Sequence, residues 1–252
     1  MPWVETQSTS FTARHDSEDR RGARQVLEDL EGFRAELDGR LPTMPDEVAV
    51  VIHSHYALLA AAHPWLPLAQ LVAAPAARRY FGGWFTANEI HVLAPEALQS
   101  RAAAIPESRE ALRLAPMHEY AHLVIGSLNR DLPPPFTPRT FRAYVRWAWL
   151  CEGAATWLSG QVPHLRPAIA RRLRDGGPPA LPPAARDATL LGGTVFALLE
   201  ESAGASACLD LVSRLDPGGG AAALERAFDS GIGSIAREWR EYLAEAARAS
   251  RL

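Results

Sequence analysis

The segment His118-Glu119-Tyr120-Ala121-His122 sets two imidazoles four positions apart with a carboxylate between them, in a stretch that also carries Leu112, Leu114, Val124 and Ile125. On a helix, positions i and i+4 share a face, so this spacing predicts a helix that aims both histidines at one point. Neutral imidazole is a good zinc ligand, and Glu119 beside the pair could hold a water at an open coordination position. The plainer alternative is two solvated histidines on an ordinary helix. Pro116, two residues before the first histidine, either starts this helix or kinks a longer one.

Such a centre needs a third protein ligand. In residues 147–158, WAWLCEGAATWL, Glu152 is the single charged side chain of an otherwise apolar or small helical run. A carboxylate buried without a partner is costly, so Glu152 should bind a metal or pair with Arg142 or Arg146. Gly153 and Ala154 would let this helix approach the His118–His122 helix closely.

The rest of the chain reads as α+β. Residues 1–20 are polar and aperiodic, and are expected to be a flexible lead-in. Apolar residues at Val26, Leu27, Leu30, Phe33 and Leu37 predict a helix over 21–41, and VAVVIH (48–53) predicts a buried strand. A helix is expected in HYALLAAAHP (55–64), and two short strands around a turn near Ala87 and Asn88 in YFGGWFTANEIHVLA (80–94). Helices are then expected at 107–128, 137–160, 184–203, 204–215, 219–229 and 232–248. The tracts at 133–135 and 176–183 read as surface loops. Residues 21–252 are thus expected to form one domain, with a sheet half at 21–105 and a helical half at 106–252.

The motifs resemble the gluzincin metallopeptidases, the peptidase-MA-like or minigluzincin class, in which H-E-x-x-H is followed by E-G-x-A on the next helix. HEYAH and CEGAATWLSG carry the resemblance. YFGGWFTANEIHVLAP is similar to the sheet-edge strand of these proteins, and GGTVFALLEESAGASACLDLV and AFDSGIGSIAREWREYL to their C-terminal helices. The resemblance implies a thermolysin-like catalytic domain, with a small mixed sheet and helices first, a mainly helical half after, and the site between them. It implies one zinc ion per chain held by His118, His122 and Glu152, with Glu119 as general base in peptide-bond hydrolysis. The partner would be a peptide or protein substrate, held by backbone pairing along Glu89, Ile90, His91 and Val92. A zinc-holding binding or regulatory module on the same fold is the alternative. Relatives commonly supply a tyrosine for the oxyanion at the start of the helix after E-G-x-A. ARDATLLGGTVFALL has none, and Tyr144, Tyr80 and His164 are the substitutes on offer. The G-x-M-E-N strand of the large aminopeptidases is also missing.

Composition narrows the partners. The net charge is −3 and all 26 basic residues are arginine, so nothing drives the molecule towards nucleic acid or an anionic membrane. No apolar run approaches the roughly 18 residues of a membrane span, and the N-terminus lacks a signal-peptide pattern, so a cytoplasmic protein is expected. Cys151 and Cys208 are too few and too far apart for a disulfide scaffold or a thiolate metal site. The sequence leaves the oligomeric state open. Several other residues have quiet readings. His53 and His55 suit capping or surface roles better than a second metal pair. Arg171, Arg172 and Arg174 read as a solvated face. Trp147, Trp149 and Trp157 read as core residues, and Cys151 as a buried thiol.

Overall fold

The computed structural model describes residues 2–249, and its first element is a strand where a loose lead-in was expected. β1 (Trp3–Gln7) and β2 (Phe11–Asp16) form an antiparallel hairpin. β2 alternates as a half-buried strand should, with Phe11, Ala13 and His15 inward. β1 is exposed or half-buried throughout, so it has little apolar pattern to read. The hairpin turn is tied down by Glu31, whose carboxylate accepts from Ser8 Oγ (2.7 Å), Ser10 N (2.6 Å) and Ser10 Oγ (3.0 Å). The sheet half therefore begins near residue 3, not residue 21.

Helix α1 (Arg20–Asp38) buries Val26, Leu27, Leu30, Phe33 and Leu37 and ends at Gly39. β3 (Val48–His53), α2 (Tyr56–Ala62), α3 (Trp65–Val72), β4 (Gly83–Phe85) and β5 (Glu89–Leu93) complete the sheet region. The sheet is mixed, in the order β1-β2-β3-β5-β4, with β2, β3 and β5 parallel and an antiparallel strand at each edge. Val50, Ile52, Ile90 and Val92 belong to the main core with α1. A smaller cluster gathers Leu59, Leu66, Leu93 and Leu98.

The second half is helical: α4 (Pro95–Arg101), α5 (Pro106–Arg113), α6 (Ala115–Leu128), α7 (Pro138–Arg146), α8 (Ala148–Leu158), α9 (Arg166–Asp175), α10 (Ala188–Ala203), α11 (Ala205–Ser213), α12 (Gly220–Phe228) and α13 (Ile232–Ala249). The fold is thus α+β, as the sequence predicts. Two expected helices are each broken in two, 107–128 at Leu114 and 137–160 at Trp147. Pro116 lies in the first turn of α6, where its missing N–H costs nothing. The 133–135 tract is not purely superficial: Pro133 is buried, and a Cβ on Gly126 of α6 would come within 2.8 Å of Pro134 N.

Three contacts hold the helical half together. α8 and α10 cross at Gly153 and Gly192, where a Cβ on Gly153 would lie 2.6 Å from the Gly192 carbonyl carbon. The small residue beside Glu152 thus admits α10, not the His118–His122 helix as the sequence suggested. Arg172 of α9 is buried and grips Asp187 with two hydrogen bonds of 2.5 and 2.7 Å, so it is not part of a solvated face. Trp239 of α13 is fully buried and donates to Thr194 Oγ1 at 2.8 Å. No helix among the described residues is long and apolar enough to cross a membrane.

Candidate metal centre

α6 is buried from Ala115 to Gly126, so its polar residues must find partners inside the protein. His118 and His122 project from one face towards Glu152 on α8. His118 Nε2 and His122 Nε2 are 3.2 Å apart, and lie 3.7 and 3.5 Å from the two oxygens of Glu152. One donor atom from each residue falls within 4.8 Å of the others, and among the described residues no other His, Cys, Asp or Glu group does this. Two imidazole nitrogens and a carboxylate are the donor set of a three-ligand site with a coordination position left open.

The surroundings fit that use. Gln161 Nε2 donates to the Ala111 carbonyl (2.7 Å), which turns Gln161 Oε1 towards His118 Nδ1 (2.9 Å). With Nδ1 donating to Gln161, the neutral form of His118 has its Nε2 lone pair facing the other two donors. Glu152 accepts from Tyr144 Oη (2.5 Å) and Thr189 Oγ1 (3.2 Å), so its carboxylate is oriented from two sides without using Arg146, which lies over the Trp147 ring. Phe85 stacks on His122 with centroids 4.2 Å apart. Burial would raise the pKa of Glu152, but without a metal the hydrogen bond and charge of a protonated His118, the positive charge that His122 can carry, and the hydrogen bond from Tyr144 hold it at about 2. Burial pushes His122 down to about 3, so it is a neutral base available to a cation. The group can therefore hold a metal ion.

Glu119 stands apart. It is buried, its carboxylate has no hydrogen bond among the described residues, and burial pushes its pKa up to about 8. It lines the same cleft as His118, His122 and Glu152, a space of about 390 Å³. Gly83 of β4 makes room for it, since a Cβ there would sit 2.8 Å from Glu119 Cδ.

The strand expected to hold substrate is misplaced in the sequence reading. Glu89, Ile90, His91 and Val92 lie on β5, which is paired on one side with β3 and on the other with β4, so it has no free edge. Ile90 and Val92 are fully buried in the core, while Glu89 and His91 point to the opposite face. The strand at the edge beside the site is β4, and which arm of a hairpin lies outermost is settled by β3, not by local sequence. On that opposite face His53 is buried, not superficial: its Nε2 is 3.0 Å from His91 Nδ1, and His91 Nε2 is 2.6 Å from Glu89. His55 is exposed and makes no side-chain cap.

Of the three oxyanion substitutes, Tyr144 reaches the centre. Tyr80 lines the cleft, but its hydroxyl points to Ser108, 3.5 Å away. His164 lies outside the cleft lining. Gln161 and Thr189 were missed by sequence reasoning, and neither carries a periodicity or spacing signal that would have marked it. Trp147, Trp149 and Cys151 are core residues as expected, whereas Trp157 is half-buried and donates to Glu200. No protein-family model and no curated protein matches the chain.

Proposed function

We propose that the protein is a zinc-dependent hydrolase of peptide bonds. The observation that carries this reading is a buried His118–His122–Glu152 group opening on a cleft in which Glu119 is unpaired and close at hand. His118, His122 and Glu152 would hold the ion, which when bound supplies a Lewis acid that polarises a carbonyl and acidifies water. Glu119 takes the proton of the attacking water as the new C–O bond forms, and returns it to the nitrogen as the C–N bond breaks. The free edge of β4, beside Glu119, pairs with the backbone of an extended substrate.

Zinc content and peptide hydrolysis, measured together on the wild type and on Glu119→Gln, test this reading. One zinc per chain in both, with hydrolysis lost in the variant, supports it. Equal hydrolysis by the two proteins sinks it.

A second reading, a zinc-holding module without turnover, is favoured by one feature. Tyr144, the tyrosine nearest the centre, commits its hydroxyl to Glu152 and so leaves no tyrosine donor aimed at an oxyanion. Zinc binding with no hydrolysis of any peptide would select it.

A further inference from the structure

Helix α3 is inside out for a helix at a protein surface. It buries Leu66, while Trp65, Leu68, Leu71 and Val72 turn outward and are 62%, 52%, 68% and 63% exposed. Phe141 and Val145 of α7 are exposed as well, and both helices line the mouth of the cleft. These six make up most of the nine large apolar side chains exposed among the described residues, so the exposure is gathered around one opening. A surface of this kind is built for contact with something other than water.

Charge identifies the contact. Between Glu47 and Glu89 the chain has no acidic residue, and its two basic ones, Arg78 and Arg79, follow α3. Arg78 donates from Nη2 to the Leu71 carbonyl (3.2 Å) and from Nε to that of Ala73 (3.3 Å), which sets a guanidinium at the end of the apolar stripe. Arg101 donates to the carbonyls of Arg79 and Arg78 at 3.3 Å each and brings another beside it. α7 adds Arg142 and Arg146 and has no carboxylate of its own. Among the described residues, none of these five arginines pairs with an acidic side chain; Arg139 of α7 does, with Asp131. A cation held by His118, His122 and Glu152 would add to this positive sign. The net charge of −3 exerts no such pull, so the effect is one of local distribution.

We propose that α3, with the exposed side chains of α7, docks the protein on an anionic lipid surface, so that the cleft opens towards the membrane. The lipid boundary takes the apolar tips of Leu68, Leu71 and Val72, the indole of Trp65 sits at the interface, and lipid phosphates meet the arginines at the end of the stripe. A second copy of the chain fits less well, because a two-fold contact lays the patch on itself and gathers its arginines with no carboxylate to meet them. The docking is interfacial, since no helix among the described residues is long and apolar enough to cross a membrane. It goes beyond the hydrolase reading and does not depend on it, because neither the patch nor its test involves turnover.

The test is sedimentation of the full chain with vesicles of phosphatidylcholine alone and of phosphatidylcholine mixed with phosphatidylglycerol. Binding to the mixed vesicles is expected, falling as salt is raised, with binding to phosphatidylcholine alone about tenfold weaker or worse. Leu71→Glu and Arg79→Glu are each expected to lower the partition onto mixed vesicles by about tenfold or more. Leu71 is exposed and lies outside the cleft lining, so Leu71→Glu should keep the wild-type melting temperature and metal content. Absence of binding to the mixed vesicles overturns the proposal, as does equal binding to both kinds of vesicle. Wild-type partition by a folded Leu71→Glu protein overturns it as well. A concentration-dependent dimer that Leu71→Glu dissociates assigns the patch to a second copy, and preference for a soluble acidic peptide over the vesicles assigns it to a protein partner; either result overturns the lipid assignment.

Discussion

Gly153 of α8 and Gly192 of α10 meet backbone against backbone: a Cβ on Gly153 would lie 2.7 Å from the Gly192 carbonyl oxygen, and one on Gly192 would lie 2.8 Å from the Gly153 Cα. This crossing brings Thr189, one helical turn before Gly192, within 3.2 Å of Glu152, the neighbour of Gly153. Gly192→Ala should therefore push the helices apart, cost about 1–3 kcal/mol of stability, and weaken metal binding by loosening Glu152. Thermal unfolding and a metal titration on one preparation check both effects. A variant with wild-type melting and wild-type affinity would show that the crossing tolerates a methyl group.

Gln161→Ala removes the acceptor at His118 Nδ1 and frees the tautomer. Metal affinity should fall about 10- to 100-fold, while the circular dichroism spectrum is unchanged. Competition with a chromophoric chelator measures the first, and an unchanged affinity would show that Gln161 does not orient the ligand.

Removal of metal should lower the melting temperature. An ion present at 100 times its Kd stabilises the folded state by about 2.7 kcal/mol, which for a chain of this size corresponds to roughly 5–10 °C. Melting curves with zinc and with excess chelator check this, and coincident curves on a protein shown to bind zinc would contradict it.

Stability should fall in mild acid because of the histidines on the far face of the sheet. Burial lowers the pKa of His53, His63 and His91 from the usual 6.5 to about 4 each, with mutual repulsion adding for His53 and His63 and Glu89 opposing it there. Between pH 6.5 and 4 the unfolded chain therefore binds protons that the folded chain refuses. The stabilisation is complete above pH 6.5 and is lost as the pH falls towards 4. Melting temperature measured across this range should decline, and the decline should be shallower in a His53→Leu, His91→Leu double variant.

Asp187→Ala should leave Arg172 as a buried, uncompensated cation. A loss of about 3–5 kcal/mol is expected, seen as a lower denaturant midpoint. Arg172→Met in the same background should recover part of it by removing the stranded charge.

Much of the architecture was legible because it is written in local periodicity. The spacing of Val26, Leu27, Leu30, Phe33 and Leu37 marks α1, and the apolar run of β3 marks a strand with one face buried and the other at least half-buried. His118 and His122 could be paired from sequence because helical geometry alone puts them on one face. Glu152 could be singled out because a lone carboxylate in an apolar helix demands a partner. β1 and α3 were not legible, since an exposed edge strand and a helix lining a cleft lack the polar-out, apolar-in contrast that pattern reading needs.

The donor residues, the helices that carry them and the α+β class follow from side-chain chemistry and spacing within single elements, and so are readable from the chain alone. The tertiary structure alone decided that β4 and not β5 forms the sheet edge at the site. It also decided that Gln161 and Thr189 orient His118 and Glu152, that Tyr144 is spent on a carboxylate, and that α3 and α7 face each other across an apolar cleft. These are contacts between elements far apart in the chain. Their partners are chosen by how the sheet and helices pack, a choice that no residue's own neighbours in sequence encode.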